Sequence, residues 1–300
     1  MVSLAVRVGG INLENPAILA SGILDENGYT MKRVLEEGAG AVVTKSIGVD
    51  ERNGYYPPVV VEGNSYLINA MGLPNPGIEN YGEEIKIASN GRKPIIGSIF
   101  ASGVDDFLRL GTSMEDFGVS AVELNLSCPH VRGFGSEVGS DPVLVRDIVK
   151  TLKGSLKIPV WSKLSPNVSS ILDIAEAAVE SDALVLINTV RAMAIDAETR
   201  MPVLSNAYGG MSGEAIKPVG LRCVYEVKKE LNVDIIGVGG ISNYTDALEY
   251  IMAGASSFQI GTAVIKSGRG VFKKITEDLE VYMNNNSIER LSQLVGVAIR

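Results

Sequence analysis

The chain is poor in the residues from which disulfide frameworks and metal centres are built. Its 300 residues include two cysteines and one histidine. Cys128 and Cys223 are far apart and form no C-x-x-C pair, which argues against a disulfide scaffold or a cysteine-rich metal site. The single histidine, His130, has no neighbouring carboxylate cluster, so we expect no metal site there either.

Long apolar runs and clusters of basic residues are also missing. No run approaches the ~18 apolar residues of a membrane span, so no membrane association is expected. The first residues, MVSLAVRVGGINLENP, lack the basic and apolar segments of a secretory signal, so a cytoplasmic location is expected. A formal net charge of −8 repels phosphate backbones, so nucleic-acid binding is not expected.

What the chain does contain is a series of short apolar runs alternating with helical patterns. An opening hairpin over residues 4–13, turning at Gly9-Gly10, precedes them. Runs rich in Val, Ile and Leu are typical of strands buried on both faces of a parallel sheet. The predicted strands are residues 17–20, 41–45, 95–99, 121–126, 160–164, 184–188, 235–238 and 257–260. The predicted helices are residues 29–37, 142–153, 171–180, 216–231, 245–252, 271–284 and 288–294, with a short one near 78–89.

Eight strands favour one fold class over the other α/β arrangement. A doubly wound sheet usually has about five or six strands, whereas a (β/α)8 TIM barrel has eight and commonly runs near ~250 residues as one domain. No linker interrupts the chain, so residues 1–300 are predicted to form a single barrel domain. Two long connections, residues 46–94 and 189–218, are predicted to be loops at the C-terminal face of the barrel, where active sites lie.

Polar residues at the carboxyl ends of the predicted strands should converge on one site. They are Ser21, Gly22, Lys45, Ser46, Asn125, Ser127, Lys163, Asn188, Thr189, Gly239, Gly240, Gly261 and Thr262. A buried ammonium is costly unless paired, so Lys45 and Lys163 should face anionic or strongly accepting groups, unless they reach solvent at frayed strand ends. The glycine pairs after strands seven and eight either bind phosphate through backbone N–H groups or form tight turns.

The two cysteines are expected to differ in role. A free cysteine is most often a small buried hydrophobe, and Cys223, on the apolar side of a predicted helix, fits that description. Cys128 stands in a polar, Gly-rich loop at the predicted barrel mouth. Its thiol would have an unperturbed pKa of about 8.5, which nearby lysines could lower. His130, two residues further on, could be a second base, a ligand-contacting donor or a surface residue.

Several sequence runs resemble one enzyme family, the dihydroorotate dehydrogenases, in their soluble, cysteine-using class. The matching runs, spaced between residues 18 and 263, are ILASG, TKSIG, NAMGLPNPG, ELNLSCP, SKLSPNV, INTVRAMAID, GGMSGEAIKP, GVGGI and QIGTA. NLSCP, NAMGLPNPG and INTVRAMAID are specific motifs. GVGGI and QIGT are shared by many flavin- and phosphate-binding barrels.

The resemblance implies oxidation of dihydroorotate to orotate in pyrimidine biosynthesis, with FMN at the barrel mouth. Cys128 would take a proton from C5 of the substrate while the C6 hydride passes to flavin N5. Lys45 would lie between substrate and flavin, and Lys163 would face the N1/O2 edge of the flavin ring. The implied FMN contacts are Ser21, Lys45, Ser46, Asn125, Lys163, Ile187 and Gly213, with the phosphate on Gly239, Gly240, Gly261 and Thr262. The implied substrate contacts are Lys45, Asn69, Met71, Gly72, Leu73, Asn125, Asn188 and Thr189.

The chain departs from the family pattern at two positions. His130 follows SCP, where the family usually has Asn, and dihydropyrimidine dehydrogenases, which act on uracil and thymine, resemble this chain in having NLSCPH. Ser98 stands where the family commonly has an Asn that touches the flavin. An alternative outside redox chemistry is a phosphate-binding lyase or isomerase that uses Lys45 or Lys163 as a Schiff base.

The loop after Cys128, VRGFGSEVGSDP, resembles the NAD-linked subclass rather than the fumarate-linked one. That subclass works with a second subunit that carries FAD and an iron–sulfur cluster. Two cysteines are too few to hold such a cluster in this chain. The resemblance therefore implies an electron-transfer partner subunit, and it implies that this chain assembles as a homodimer or as part of a heterotetramer.

Overall fold

The computed structural model describes residues 2–90, 93–127 and 138–300. Over these residues the strands, in chain order, are β1 (Val6–Val8), β2 (Ile11–Leu13), β3 (Ala17–Leu19), β4 (Ala41–Val43), β5 (Glu51–Arg52), β6 (Val60–Glu62), β7 (Leu67–Asn69), β8 (Asn75–Pro76), β9 (Ile95–Ile99), β10 (Ala121–Asn125), β11 (Val160–Leu164), β12 (Ala183–Leu186), β13 (Val190–Met193), β14 (Ile195–Asp196), β15 (Met201–Pro202), β16 (Tyr208–Ser212), β17 (Ile235–Val238) and β18 (Ser257–Ile260). The helices are α1 (Gly28–Glu36), α2 (Gly82–Ser89), α3 (Val104–Asp116), α4 (Pro142–Ser155), α5 (Ile171–Ala177), α6 (Lys217–Glu230), α7 (Tyr244–Ala253), α8 (Ala263–Ser267) and α9 (Val271–Asn285). Short 3-10 turns cover Ile78–Asn80, Val138–Ser140, Glu214–Ile216 and Leu291–Leu294.

Within the described residues, eight parallel strands close into a barrel, which confirms the predicted fold class. Around the barrel the order is β10-β11-β12-β17-β18-β3-β4-β9. Each barrel strand coincides with one of the predicted apolar runs. The predicted strand 184–188 is displaced, because β12 ends at Leu186 and the following residues lie at the barrel mouth.

Alternation along the strands separates a barrel interior from a helix-facing surface. In β10, Val122 and Leu124 pack in the cluster between strands and helices, while Ala121 packs inside the barrel. Glu123 and Asn125 share the inward face of Ala121, because side chains two apart in a strand point the same way. The strands are apolar on the outside and become polar inside toward their carboxyl ends.

The opening hairpin β1-β2 closes the other end of the barrel. Val8, Ile11 and Leu13 pack with Trp161 in the interior cluster. At the turn, Gly9 has a φ of +51°, and its carbonyl accepts a 2.9 Å hydrogen bond from Trp161 Nε1. A Cβ at Gly9 would lie 2.3 Å from that same nitrogen, so glycine is required there.

Two helical predictions need correction, and two helices, α3 and the five-residue α8, were not predicted. Residues 288–294 form only the 3-10 turn Leu291–Leu294, and the helix predicted over 171–180 ends at Ala177. The longer missed helix, α3, buries Phe107, Leu110 and Met114. Their spacing of three and four residues is the ordinary signature of an amphipathic helix and was available in the sequence.

The two long connections are not plain loops, contrary to prediction. Strands β6 and β7 from the first and β13 and β16 from the second form a four-stranded antiparallel sheet of order β13-β16-β7-β6, which we call the cap sheet. Gly210 pairs with Asn69 in this sheet. Its strands are short and become stable only by pairing across some 140 residues of sequence, so local patterns do not reveal them.

No helix in the described part of the chain is long and apolar enough to span a bilayer.

Candidate active site at the barrel mouth

A cavity of about 460 Å³ lies between the carboxyl ends of the barrel strands and the cap sheet. Its volume is in the range of small-molecule sites, about 300–1,000 Å³. The structure brings together in its lining all the predicted site residues that it describes: Ser21, Lys45, Ser46, Asn69, Met71, Gly72, Leu73, Asn125, Lys163, Ile187, Asn188, Thr189, Gly213, Gly239, Gly240, Gly261 and Thr262. Cys128 and His130 lie outside the described residues.

The cavity floor is formed by three buried polar side chains from three barrel strands. Lys163 Nζ donates to Gln259 Oε1 at 2.9 Å and lies 3.3 Å from Glu123 Oε1. Gln259 Nε2 donates to Glu123 Oε2 at 2.6 Å. Lys163 therefore has the anionic partner that its burial predicted, and it sits deep in the barrel rather than at a frayed strand end.

Sequence reasoning missed Glu123 and Gln259. Both stand inside otherwise apolar strand runs, the same signal that drew attention to Lys163. A charged or amide side chain in such a run requires a polar partner when buried. Applied evenly, that rule would have selected both residues.

A hydrogen-bonded belt of small polar side chains forms one wall. Asn125 Nδ2 donates to Ser46 Oγ at 3.0 Å, and Ser46 Oγ pairs with Ser98 Oγ at 2.8 Å. Ser127 Oγ donates to Asn125 Oδ1 at 3.1 Å, and Asn188 Nδ2 donates to Ser127 Oγ at 2.6 Å. Ser98 is fully buried and, within the described part of the chain, stands behind Ser46 rather than in the cavity lining. This belt fixes the orientation of both asparagine amides.

Lys45 lies on the other side of the mouth and also has anionic neighbours. Its Nζ is 3.1 Å from Glu26 Oε1, and its side chain is mostly buried. Asp25, fully buried beside it, accepts from the backbone N–H of Gly22, and its carbonyl accepts from Tyr81 Oη at 2.6 Å. Burial raises the pKa of Asp25 to about 6, against the lowering effect of the Lys45 charge. The backbone N–H of Lys45 also donates to the Asp25 carbonyl at 3.3 Å, so Asp25 ties the Gly22 loop to the segment that carries Lys45.

The loops after β17 and β18 form the glycine-rich end of the cavity. Gly239 and Gly240 have φ values of +123° and +75°. Among the described residues, no acceptor completes a hydrogen bond with the backbone N–H of Gly240 or Gly261. Tyr250 Oη donates to the carbonyl of Gly239 at 2.7 Å and so holds the first loop from behind. Free amide donors on glycine backbone suit an anionic group such as a phosphate.

Comparison with known proteins relates the whole chain to one group of enzymes. A family model described as dihydroorotate dehydrogenase matches residues 3–283. The dihydroorotate dehydrogenase B (NAD(+)) catalytic subunit of Thermoplasma volcanium is 62% identical over 300 residues, covering 100% of both chains. Its counterpart in Thermoplasma acidophilum is 61% identical over the same lengths, and that of Pyrococcus furiosus is 45% identical over 299 residues, covering 99% of each chain.

Proposed function

Because this chain belongs to the dihydroorotate dehydrogenase family, and is therefore an oxidoreductase that oxidises dihydroorotate, we propose that it does so with FMN bound in the cavity at the barrel mouth. The observation that carries the proposal is the composition of that cavity. A buried cation lies on its floor, fixed amides line its wall, and free backbone donors lie at its glycine end. We place the reaction in pyrimidine biosynthesis.

These residues fit FMN by the chemistry of their donors. The Lys163 ammonium suits the N1/O2 edge of the ring, where negative charge gathers on reduction. Gly239, Gly240, Gly261 and Thr262 would hold the phosphate. Ser21, Ser46, Asn125, Ile187 and Gly213 would contact the rest of the cofactor. When bound, FMN supplies N5 as the acceptor of the hydride from C6 of dihydroorotate.

The substrate ring contains two planar amide groups, and the cavity wall offers matching groups. Asn69, Asn125 and Asn188 present side-chain amides that both donate and accept. Met71, Gly72, Leu73 and Thr189 complete the substrate contacts, and Lys45 would lie between substrate and cofactor. A belt-fixed amide binds a planar ligand with little further loss of side-chain freedom.

The base in this proposal is Cys128, which rests on sequence alone. Its thiolate would remove the proton from C5 of dihydroorotate. A placed base contributes roughly 10²–10⁴-fold to such a step. Lys163 would favour transfer of the C6 electron pair by placing positive charge beside the N1/O2 edge of the ring that receives it.

We further propose that electrons leave through a second subunit. The relatives are named as catalytic subunits of NAD(+)-linked enzymes. A cluster of the [2Fe–2S] kind takes four protein ligands, usually cysteines, and this chain has two. The FAD and the iron–sulfur cluster would therefore belong to the partner, assembled with a dimer of this chain.

Two alternatives differ in how far the site supports them. A Schiff-base enzyme needs a neutral lysine amine. Lys45 Nζ and Lys163 Nζ each lie within 3.3 Å of a carboxylate oxygen, so each is held in an ion pair rather than left free to attack a substrate carbonyl. The dihydropyrimidine reaction keeps the same flavin chemistry and rests on the NLSCPH run alone.

The direct test is an anaerobic titration of the purified protein. We expect a flavin absorbance spectrum that bleaches on addition of dihydroorotate and does not bleach with dihydrouracil. A colourless protein to which added FMN does not bind would overturn the cofactor proposal. Bleaching by dihydrouracil alone would favour the dihydropyrimidine reaction.

A further inference from the structure

We propose that Gln259 is a positioning residue for Lys163: anchored on Glu123, it holds the ammonium at the cavity floor so that the reduction potential of bound FMN depends on it. This inference rests on the proposed function, because it requires FMN in the cavity. Gln259 begins the QIGTA run but is not among the predicted site residues.

The geometry shows a bridge across the barrel interior. Gln259 is on β18, and β18 is four strands from β10 in either direction around the barrel, so it lies opposite Glu123. Lys163 is on β11, next to β10. The exposed fractions of Glu123, Lys163 and Gln259 are 0%, 5% and 1%. The Gln259 side chain therefore spans the barrel interior to reach the other two.

The two neighbours fix the orientation of the Gln259 amide. Its oxygen faces an ammonium, which only donates, and its nitrogen faces a carboxylate, which only accepts when ionised. The reversed amide would set donor against donor and acceptor against acceptor. Gln259 therefore has one stable orientation, and its oxygen holds Nζ at 2.9 Å.

Without that oxygen, the Lys163 ammonium has a different best partner. The contact between Nζ and Glu123 Oε1 at 3.3 Å is a charge contact without hydrogen-bond alignment. If Gln259 were apolar, Nζ would be expected to close on the carboxylate as a tighter pair. A cation neutralised in this way stabilises added negative charge in the cavity less well. The potential of bound FMN should then fall.

The test measures the midpoint potential of bound FMN by equilibration with a reference dye. We expect Gln259→Met, which is close in volume and apolar, to lower the ratio of reduced to oxidised FMN at least tenfold, which is about 30 mV for a two-electron couple. In a Lys163→Met background, Gln259→Met should have no further effect, because the route through the lysine is gone. Gln293→Met, the same change at an exposed residue that caps the last turn, should leave the potential unchanged.

A charge swap separates positioning from packing. Gln259→Glu alone places two carboxylates together and should also lower the potential. The double change Glu123→Gln with Gln259→Glu keeps one ammonium, one carboxylate and one amide in contact, but it moves the carboxylate to the position that hydrogen-bonds Nζ, so the tighter pair should form and the potential should stay low. The inference is overturned if Gln259→Met leaves the potential unchanged, or if the swap restores the wild-type potential. Failure of the proposed function would show separately, as wild-type protein without FMN or without bleaching by dihydroorotate.

Discussion

The two cysteines show at the scale of single residues how surroundings set the chemistry of one side-chain type. Cys223 is fully buried on α6, and burial raises the pKa of its thiol to about 11. A thiol with that pKa is protonated at neutral pH and inert as a base or nucleophile. This confirms its expected role as a small hydrophobe. Cys128, which follows β10 in the sequence, is the thiol proposed as the base.

We expect Cys128→Ala to keep its flavin spectrum and its binding of orotate but to slow flavin reduction by dihydroorotate roughly 10²–10⁴-fold at neutral pH. Rapid-mixing absorbance measurements under anaerobic conditions would follow the reduction. Cys223→Ala is the matched control, and its reduction rate per bound flavin should stay near wild type. A near-normal rate in Cys128→Ala would show that another group, such as His130, is the base.

Asp25 is a second residue whose burial has a measurable consequence. Its pKa is about 6 in the folded protein against an ordinary value of 3.8, because burial disfavours the charged carboxylate. Between these pH values the folded state binds more protons than the unfolded state. The free energy of unfolding contributed by this group is thus fully present below pH 3.8 and is lost as the pH rises to about 6.

We therefore expect Asp25→Asn to gain stability relative to wild type as the pH rises from about 4 to 7. Two pKa units correspond to about 3 kcal/mol, which sets the upper size of the effect. Urea unfolding of both proteins across this range would measure it. Asp196→Asn is the matched control: hydrogen bonds lower the pKa of that exposed carboxyl from 3.8, so its contribution changes at lower pH and its profile should run parallel to wild type from about pH 4 to 7. Parallel pH profiles for Asp25→Asn and wild type would contradict the prediction.

At the scale of elements, outer helices hold the loops that form the cavity. Tyr250 on α7 reaches under the loop after β17 and donates to the Gly239 carbonyl. Gly220 on α6 leaves room for it, since a Cβ there would lie 1.9 Å from Tyr250 Oη. Asp246, also on α7, accepts from the backbone N–H of Ser242 at 2.9 Å. The glycine loop is thus shaped from behind by two helices.

We expect Tyr250→Phe to lower the free energy of unfolding by about 1–2 kcal/mol, because the part-buried Gly239 carbonyl loses its donor. The FMN dissociation constant should rise severalfold as the loop loosens. Fluorescence titration with FMN and denaturant unfolding would measure the two effects. Tyr225→Phe, which removes a hydroxyl that accepts from the backbone N–H of Arg300 at 3.2 Å, should change neither. Unaltered FMN affinity in Tyr250→Phe would contradict a role for this bond in shaping the loop.

At the scale of the whole molecule, the partner proposal predicts which acceptor takes the electrons of dihydroorotate. We expect the purified chain alone to be reduced by dihydroorotate but not to reduce NAD, because the groups that would contact NAD belong to the proposed partner. Addition of a subunit carrying FAD and an iron–sulfur cluster should start NADH formation, which the near-ultraviolet absorbance of NADH would measure. If dihydroorotate does not reduce the wild-type chain, the proposed activity fails, and that outcome is distinct from failure of the partner proposal. Direct transfer from the isolated chain to NAD or fumarate would overturn the partner proposal.

The amino-acid sequence by itself determined the barrel and most of the lining of its mouth. The apolar runs that form the strands and the polar or glycine residues at their carboxyl ends are local signals in the sequence. Lys163 and Gly239 could therefore be found from the runs that contain them or precede them. Only the tertiary structure decided the cap sheet and the bridge from Gln259 to Glu123. Those contacts join residues 136 or more apart, and barrel closure alone sets which strand faces which. A sequence pattern reports that a polar side chain is buried, but the closed barrel chooses its partner.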